Sequence, residues 1–181
     1  MTGLEYAILG FLAVKPQSGY AIISRVETGN YRWSASSGSI YPVLKRLEQQ
    51  EIITSQIEAE YETRPRKVYT LLPLGEQILD AWLKQPPTLK EVVEEYDIAL
   101  HKFLIAEYRL SRADTLKWLR DYERVIQGAE AMQRVVKSTE HEGHLTLHEK
   151  LTNRSIELEI NARLNWVQEA IARLGSTEEN S

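Results

Sequence analysis

Residues Ser36–Leu72 read SSGSIYPVLKRLEQQEIITSQIEAEYETRPRKVYTLL, and no other stretch of the 181-residue chain narrows its fold as far. Ile40, Leu44 and Leu47 recur at i, i+4 and i+7, the apolar stripe of one helix face. Lys45 and Arg46 lie off that stripe. The helix starts late in the run Ser36–Ser39, which leaves Pro42 in its first turn. A proline breaks no backbone bond there, because those N–H groups have no intrahelical acceptor. Ile52–Glu60 then alternates, with Ile53, Ser55, Ile57 and Ala59 on one side and Thr54, Gln56, Glu58 and Glu60 on the other. That is the pattern of a half-buried strand. Arg66–Leu72 supplies its partner, Val68 and Thr70 alternating against Lys67, Tyr69 and Leu71. The turn between the strands carries Arg64, Arg66 and Lys67.

Around this stretch the chain reads as helices. Thr2-x-x-Glu5 is a capping box ahead of the apolar run Leu4–Val14, and Pro16 ends that helix at Lys15. Ser18 caps a second helix through about Glu27, with Ile22, Ile23 and Val26 inward, and Gly29-Asn30 breaks it. Pro73 opens a fourth, with Leu74, Ile78 and Trp82 on one side. Gln85-Pro86-Pro87 is the clearest linker in the chain. Beyond it, Val92, Tyr96, Ala99 and Phe103 mark one helix. Ser111-x-x-Asp114 caps a long one striped by Trp118, Tyr122, Val125, Ala129, Met132 and Val136. A last helix covers about Thr146–Leu174, where Ile160, Leu164, Val167, Ile171 and Leu174 form a coiled-coil-like seam of two heptads.

The expected fold is therefore mostly α with a small two-stranded β wing. Residues 1–85 form a winged helix-turn-helix domain, residues 88–174 a helical domain, and residues 175–181 a flexible polar tail. A groove-sized helix beside a hairpin tipped with basic residues is the layout of a winged-helix nucleic-acid reader. Composition qualifies this. The apolar share of 43% and charged share of 27% are those of an ordinary globular chain. The net charge is −4, and residues 1–85 are neutral, with nine basic and nine acidic side chains each. Nucleic-acid affinity must then come from placed contacts, not from a basic domain. Cysteine is absent, which removes disulfides and thiolate sites and fits a reducing compartment. No apolar run approaches the ~20 residues of a membrane helix, and Leu4–Val14 reads as a core helix.

Tyr6-x-x-Leu9-x-x-Leu12, Ser18-Gly19-Tyr20, Gly38-Ser39-Ile40-Tyr41-Pro42-x-Leu44-Lys45-Arg46-Leu47 and Arg64-Pro65-Arg66-Lys67-x-Tyr69, in this order, resemble the PadR family of bacterial transcriptional regulators. The resemblance covers residues 4–83, and the helical second half is similar to the family's longer subgroup, in which it builds a homodimer. Two departures stand out. The family usually has glycine where Glu51 stands, at a turn that favours the left-handed region. It tends to have threonine where Leu72 stands, and Leu72 cannot cap the helix at Pro73.

The resemblance implies a cytoplasmic, homodimeric repressor whose third helix enters the major groove of double-stranded DNA. Ser36, Ser37, Ser39 and Tyr41 would meet it at the helix start, Lys45 and Arg46 would add charge, and Arg64, Arg66 and Lys67 would reach phosphates or the minor groove from the wing. One small reading head buries little, so a symmetric dimer would read an inverted repeat about one helical turn apart. The seam Ile160, Leu164, Val167, Ile171 and Leu174 is the expected dimer contact; packing within its own chain is the alternative. Plainer readings stand beside these. Serines cap helices, charged hairpin tips protect sheet edges, and Tyr41 and Tyr69 suit a core. A winged-helix module that binds protein instead of DNA is the competing function.

No P-loop, dinucleotide fingerprint, nucleophile elbow or catalytic carboxylate pair appears, so no enzyme is expected, and no cofactor. His141, His144 and His148 fall within eight residues, and the last two are i, i+4. Gly143 interrupts that helix and HEGH is not the HExxH pattern, so an exposed polar segment is the better reading than a metal site. Trp118, Tyr122 and Trp166 could line an effector pocket, but aromatics at helical spacing more often make core, and no ligand is assigned.

Overall fold

A computed structural model describes residues 1–28, 37–58, 65–139 and 145–176. The chain divides into two compact units, Met1–Lys84 and Gln85–Ser181. No described helix is long and apolar enough to cross a membrane.

In the first unit, α1 (Gly3–Val14) begins on the Thr2–Glu5 capping box, the Thr2 amide donating to Glu5 Oε2 at 2.5 Å. Its Ala7, Ile8 and Leu9 are fully buried, so it is a core helix. A two-residue strand, β1 (Gln17–Ser18), leads into α2 (Gly19–Thr28), where Ser18 Oγ accepts from the Ala21 amide. Then follow α3 (Ser37–Gln49), β2 (Ile53–Glu58), β3 (Arg66–Leu71) and α4 (Pro73–Leu83). Tyr6 of α1 stacks on Trp82 of α4 at 4.3 Å. Leu79 and Leu83, not Leu74, share the inward face of α4 with Trp82.

Three local expectations are amended. The β2–β3 wing is present, and β1 adds a third strand to it in an antiparallel sheet of order β1-β3-β2. Gln17 creates the third strand: it is buried, and its Nε2 donates to the Phe11 carbonyl at 2.7 Å, holding the chain after Pro16 extended beside β3. A two-residue strand is too short to show a period. The alternation of β2 marks burial only at its base. Ile53 is buried while Ile57 is 75% exposed, because the far half of the hairpin extends past the core. Finally, Pro42 sits beyond the first turn of α3, since the helix already starts at Ser37, so the Gly38 carbonyl lacks its intrahelical donor.

The two departures at Glu51 and Leu72 behave as expected. Glu51 has φ 55°, in the left-handed region. The Glu51 amide bonds to the Glu48 carbonyl and the Ile52 amide to the Leu47 carbonyl, the paired bonds of a Schellman helix end. Leu72 stands at the N-cap of α4 with no side-chain bond.

The second unit contains α5 (Leu89–Val93), α6 (Tyr96–Arg109), α7 (Arg112–Thr139) and α8 (Leu147–Ser176). The single helix expected from Val92 to Phe103 is two. A Thr88–Glu91 capping box starts α5, and the chain turns at Glu94-Glu95, where the negative charge opposes the helix dipole at its C-terminal end. Ser111 caps α7, its Oγ accepting from the Asp114 amide at 3.0 Å. Thr146 and Glu149 cap α8 reciprocally.

Val92, Ala99, Trp118, Leu119, Tyr122, Ile126, Ala129, Ile160 and Val167 form the core. Trp118 and Tyr122 stack at 5.2 Å, and Trp166 meets Phe103 edge-on at 5.4 Å. The aromatic stripe is thus plain core, and it ends at Ala129: Met132 is exposed. The side chain of Val136 lies outside the described residues. The seam expected as a dimer contact lies against the core of its own chain. Ile160 and Val167 are buried, and Leu164, Ile171 and Leu174 lie against the same core. The physical reason is proximity. The apolar face of α7 lies alongside α8 in the same chain and covers its stripe first.

Candidate nucleic-acid interface

Ile40, Leu44 and Leu47 are fully buried, which turns the opposite face of α3 outward. Ser39, Tyr41 and Lys45 stand on it, and all three are exposed. Tyr41 keeps 48% of its surface although its ring lies against Gly19, where a Cβ would come within 2.8 Å of the ring. Gly19 is therefore needed for the seat of Tyr41. Tyr20, the next residue, is 76% exposed on the first turn of α2. Sequence reasoning used Tyr20 only as part of a motif and missed it as a surface group. An aromatic residue at a helix start, next to the glycine that admits Tyr41, was the available signal.

The basic residues differ in what holds them. Lys45 is exposed and in no ion pair among the described residues. Arg46 is turned to α1: Nη2 and Nε donate to Glu5 Oε1 at 2.6 and 3.1 Å. Burial of the Glu5 carboxyl works against its charge, but the Thr2 amide and the Arg46 guanidinium prevail and hold its pKa below the usual value. Arg46 thus ties α3 to α1 while about half of its side chain stays exposed.

On the wing, Arg66 Nη2 meets Glu58 Oε2 across the strands at 3.3 Å, both about half exposed. Lys67 Nζ donates to Glu48 Oε2 at 2.7 Å, and its ammonium stands 5.2 Å from the centroid of the buried Tyr69 ring. The hydrogen bond from Lys67 holds the Glu48 pKa low, and the same bond raises that of Lys67. Tyr69 therefore matches the core reading and Tyr41 does not. Ser36 and Arg64, and the side chain of Ser37, lie outside the described residues.

What the arrangement offers is an outward polar face on α3, a neighbouring exposed tyrosine and a wing with Arg66 and Lys67 on β3. Such a face can donate hydrogen bonds to phosphate oxygens and base edges.

Elsewhere, no group of three or more His, Asp or Glu side chains among the described residues is placed to hold a metal. His148 is exposed; His141 and His144 lie outside the described residues. An open, mainly apolar cavity of about 380 Å³ lies in the second unit, lined by Phe103, Leu104, Leu110, Arg112, Thr115 and Leu174 among others. Trp118, Tyr122 and Trp166 are not among its lining residues.

Residues 8–81 match the model of the transcriptional regulator PadR-like family. The chain is 34% identical over 119 residues to the negative transcriptional regulator PadR of Bacillus subtilis, a region that covers 65% of each chain. Among solved structures, that of Bacillus subtilis PadR in complex with operator DNA is 26% identical, with a TM-score of 0.45 over 94% of this chain and 98% of that one. A PadR-like regulator from Bacillus cereus is 22% identical, with a TM-score of 0.40 over 98% of this chain and 100% of that one. The match to the PadR-like family of transcriptional regulators takes in most of the first unit, and the curated relative covers about two thirds of the chain's length.

Proposed function

We propose that this protein is a sequence-specific DNA-binding repressor, not an enzyme, that acts as a homodimer on an inverted-repeat operator in the bacterial cytoplasm. The observation that carries the reading is the outward face of α3, where Ser39, Tyr41 and Lys45 stand opposite a fully buried apolar stripe. The family match over residues 8–81 and a relative named as a negative regulator support repression. Lys45 and Arg66 are the expected phosphate contacts, with Ser39, Tyr41 and Tyr20 at the groove edge; Ser36, Ser37 and Arg64 remain candidates. Arg46 acts indirectly, by setting α3 against α1.

The second copy would be met by apolar side chains exposed on α7 and α8. Met132, Val135, Leu147, Leu151, Ile156 and Leu158 are each more than 40% exposed. A monomer mass by light scattering at micromolar concentration would count against the dimer.

The neutrality of residues 1–85 favours the competing module that binds protein instead of DNA. Selection of bound duplexes from a random pool separates the two. An enriched inverted repeat, bound less tightly as salt rises, is the expected result. Lys45→Ala should weaken binding to every sequence and lower the log–log salt slope by about 0.9, the share of one phosphate. A pool with no enrichment and no salt dependence would leave the protein-binding module standing.

A further inference from the structure

Lys67 looks from its sequence like a phosphate ligand, and its surroundings give it another task. Its ammonium is held by Glu48 Oε2 at 2.7 Å, and the other oxygen of that carboxylate accepts from Ser55 Oγ. Glu48 lies in the last turn of α3, Ser55 on β2 and Lys67 on β3. One carboxylate therefore ties the helix to both strands of the wing. The sheet register pairs Ser55 with Tyr69 and Ile57 with Lys67, so the two donors sit diagonally across the ladder, within reach of one acceptor. The Tyr69 ring, 5% exposed and anchored in the core, backs the ammonium of Lys67. Arg66, one residue away and on the opposite face of the strand by alternation, is the wing cation that faces elsewhere.

We propose that Glu48 and Lys67 form a strut that fixes the angle between the wing and α3, and that Lys67 is a positioning residue and not a phosphate ligand. The inference rests on the DNA-binding reading above. A helix in the groove and a wing on the backbone must meet one rigid duplex together, and phosphate contacts carry information only if their spacing is set. A surface ion pair adds little to folding stability, so the value of this one lies in direction. Turning Lys67 fully to a phosphate would leave the Glu48 carboxylate with Ser55 alone, a negative charge beside a polyanion.

The test uses the full chain, an enriched duplex from the random-pool selection and an unrelated duplex of equal length, each titrated across a salt series. The variants are Glu48→Ala, Lys67→Met and the double variant, with Lys45→Ala as the reference for a true phosphate contact and circular dichroism as the check on folding. Glu48→Ala removes a negative charge next to the DNA, so a bystander carboxylate would bind more tightly once deleted. The strut predicts the opposite: about fivefold weaker binding to the enriched duplex and a narrower preference over the unrelated one. Lys67→Met should show the same loss with an unchanged salt slope, and the double variant should be no worse than either single one. Tighter binding by Glu48→Ala, a slope lowered by about 0.9 in Lys67→Met, or additive losses would each overturn the strut while the DNA-binding reading stands. A wild-type chain that binds neither duplex takes down both.

Discussion

Lys67 and Lys102 are each paired with a glutamate, at 2.7 and 2.6 Å, yet the first side chain keeps 48% of its surface and the second 3%. The difference runs through the two units. In Met1–Lys84 the described ion pairs lie around α3 and the wing: Glu5–Arg46, Glu48–Lys67 and Glu58–Arg66 each leave the cation about half exposed. In Gln85–Ser181, surface pairs also occur, but Lys102 meets Glu91 inside the unit, and Arg163, 12% exposed, donates to the Val92 carbonyl at the end of α5. Exposed pairs orient side chains and contribute little to folding, whereas a buried pair is costly to break from one side. The first unit therefore keeps its paired cations about half exposed, and the second buries one between helices.

The strongest way to break this comparison is Lys102→Met. It strands the Glu91 carboxylate inside the second unit and should cost about 3–5 kcal/mol, seen as an earlier denaturant transition in the fluorescence of Trp118 and Trp166. A loss near that of a surface pair would show that the burial of Lys102 has no energetic weight. In the first unit the comparable damage is steric. A methyl at Gly75 would run into the Ile52 carbonyl and the Leu71 side chain, so Gly75→Ala should cost about 1–3 kcal/mol, read on the transition of Trp82.

Acid should separate the units next. Burial of the His101 ring lowers its pKa from the usual 6.5. Its neutral form then contributes stability that is full above that value and is lost as pH falls towards the folded pKa. Glu5 lies below the usual carboxylate value of 4.5, so its contribution is full above 4.5 and disappears only in more acidic solution. On acidification the second unit should loosen first, and His101→Phe should remove the early phase. Loosening of the Trp82 environment before that of Trp118 would reverse the expectation.

The smallest effect is a gain. Glu51→Gly relieves a left-handed backbone at the end of α3 and should stabilise the first unit by about 0.5–1 kcal/mol, net of the entropy of glycine.

How far the sequence could be read also differs between the units. The capping boxes, the helix end at Val14, the stripe of α3 and the left-handed turn at Glu51 are local events, set by a few adjacent residues, and they were legible. Gln17 was not, because its strand exists only by pairing with residues some fifty positions away. Ile57 alternates correctly and still stands in solvent, since period says which face a residue takes and not whether anything covers it. In the second unit, Thr88-x-x-Glu91 was a visible box that the longer apolar spacing Val92–Phe103 overrode. Among candidate site residues, types and spacing brought out the exposed Ser39, Tyr41 and Lys45, but that Arg46, Lys67 and Arg66 pair with Glu5, Glu48 and Glu58 could be seen only once the chain was folded.

Alone, then, the sequence determined the helices and the β2–β3 hairpin of the first unit, the buried stripe of α3 and the winged-helix motif, because propensity, capping and periodicity act over a few residues. Only the tertiary structure decided which charges face outward and which apolar seam is already covered. Ile160 and Val167 were equally fit for a partner's helix or for their own core, and Lys67 for a phosphate or for Glu48. A side chain's chemistry lists what it can bind; the neighbour that reaches it first, at short distance and with little entropy to lose, settles the choice.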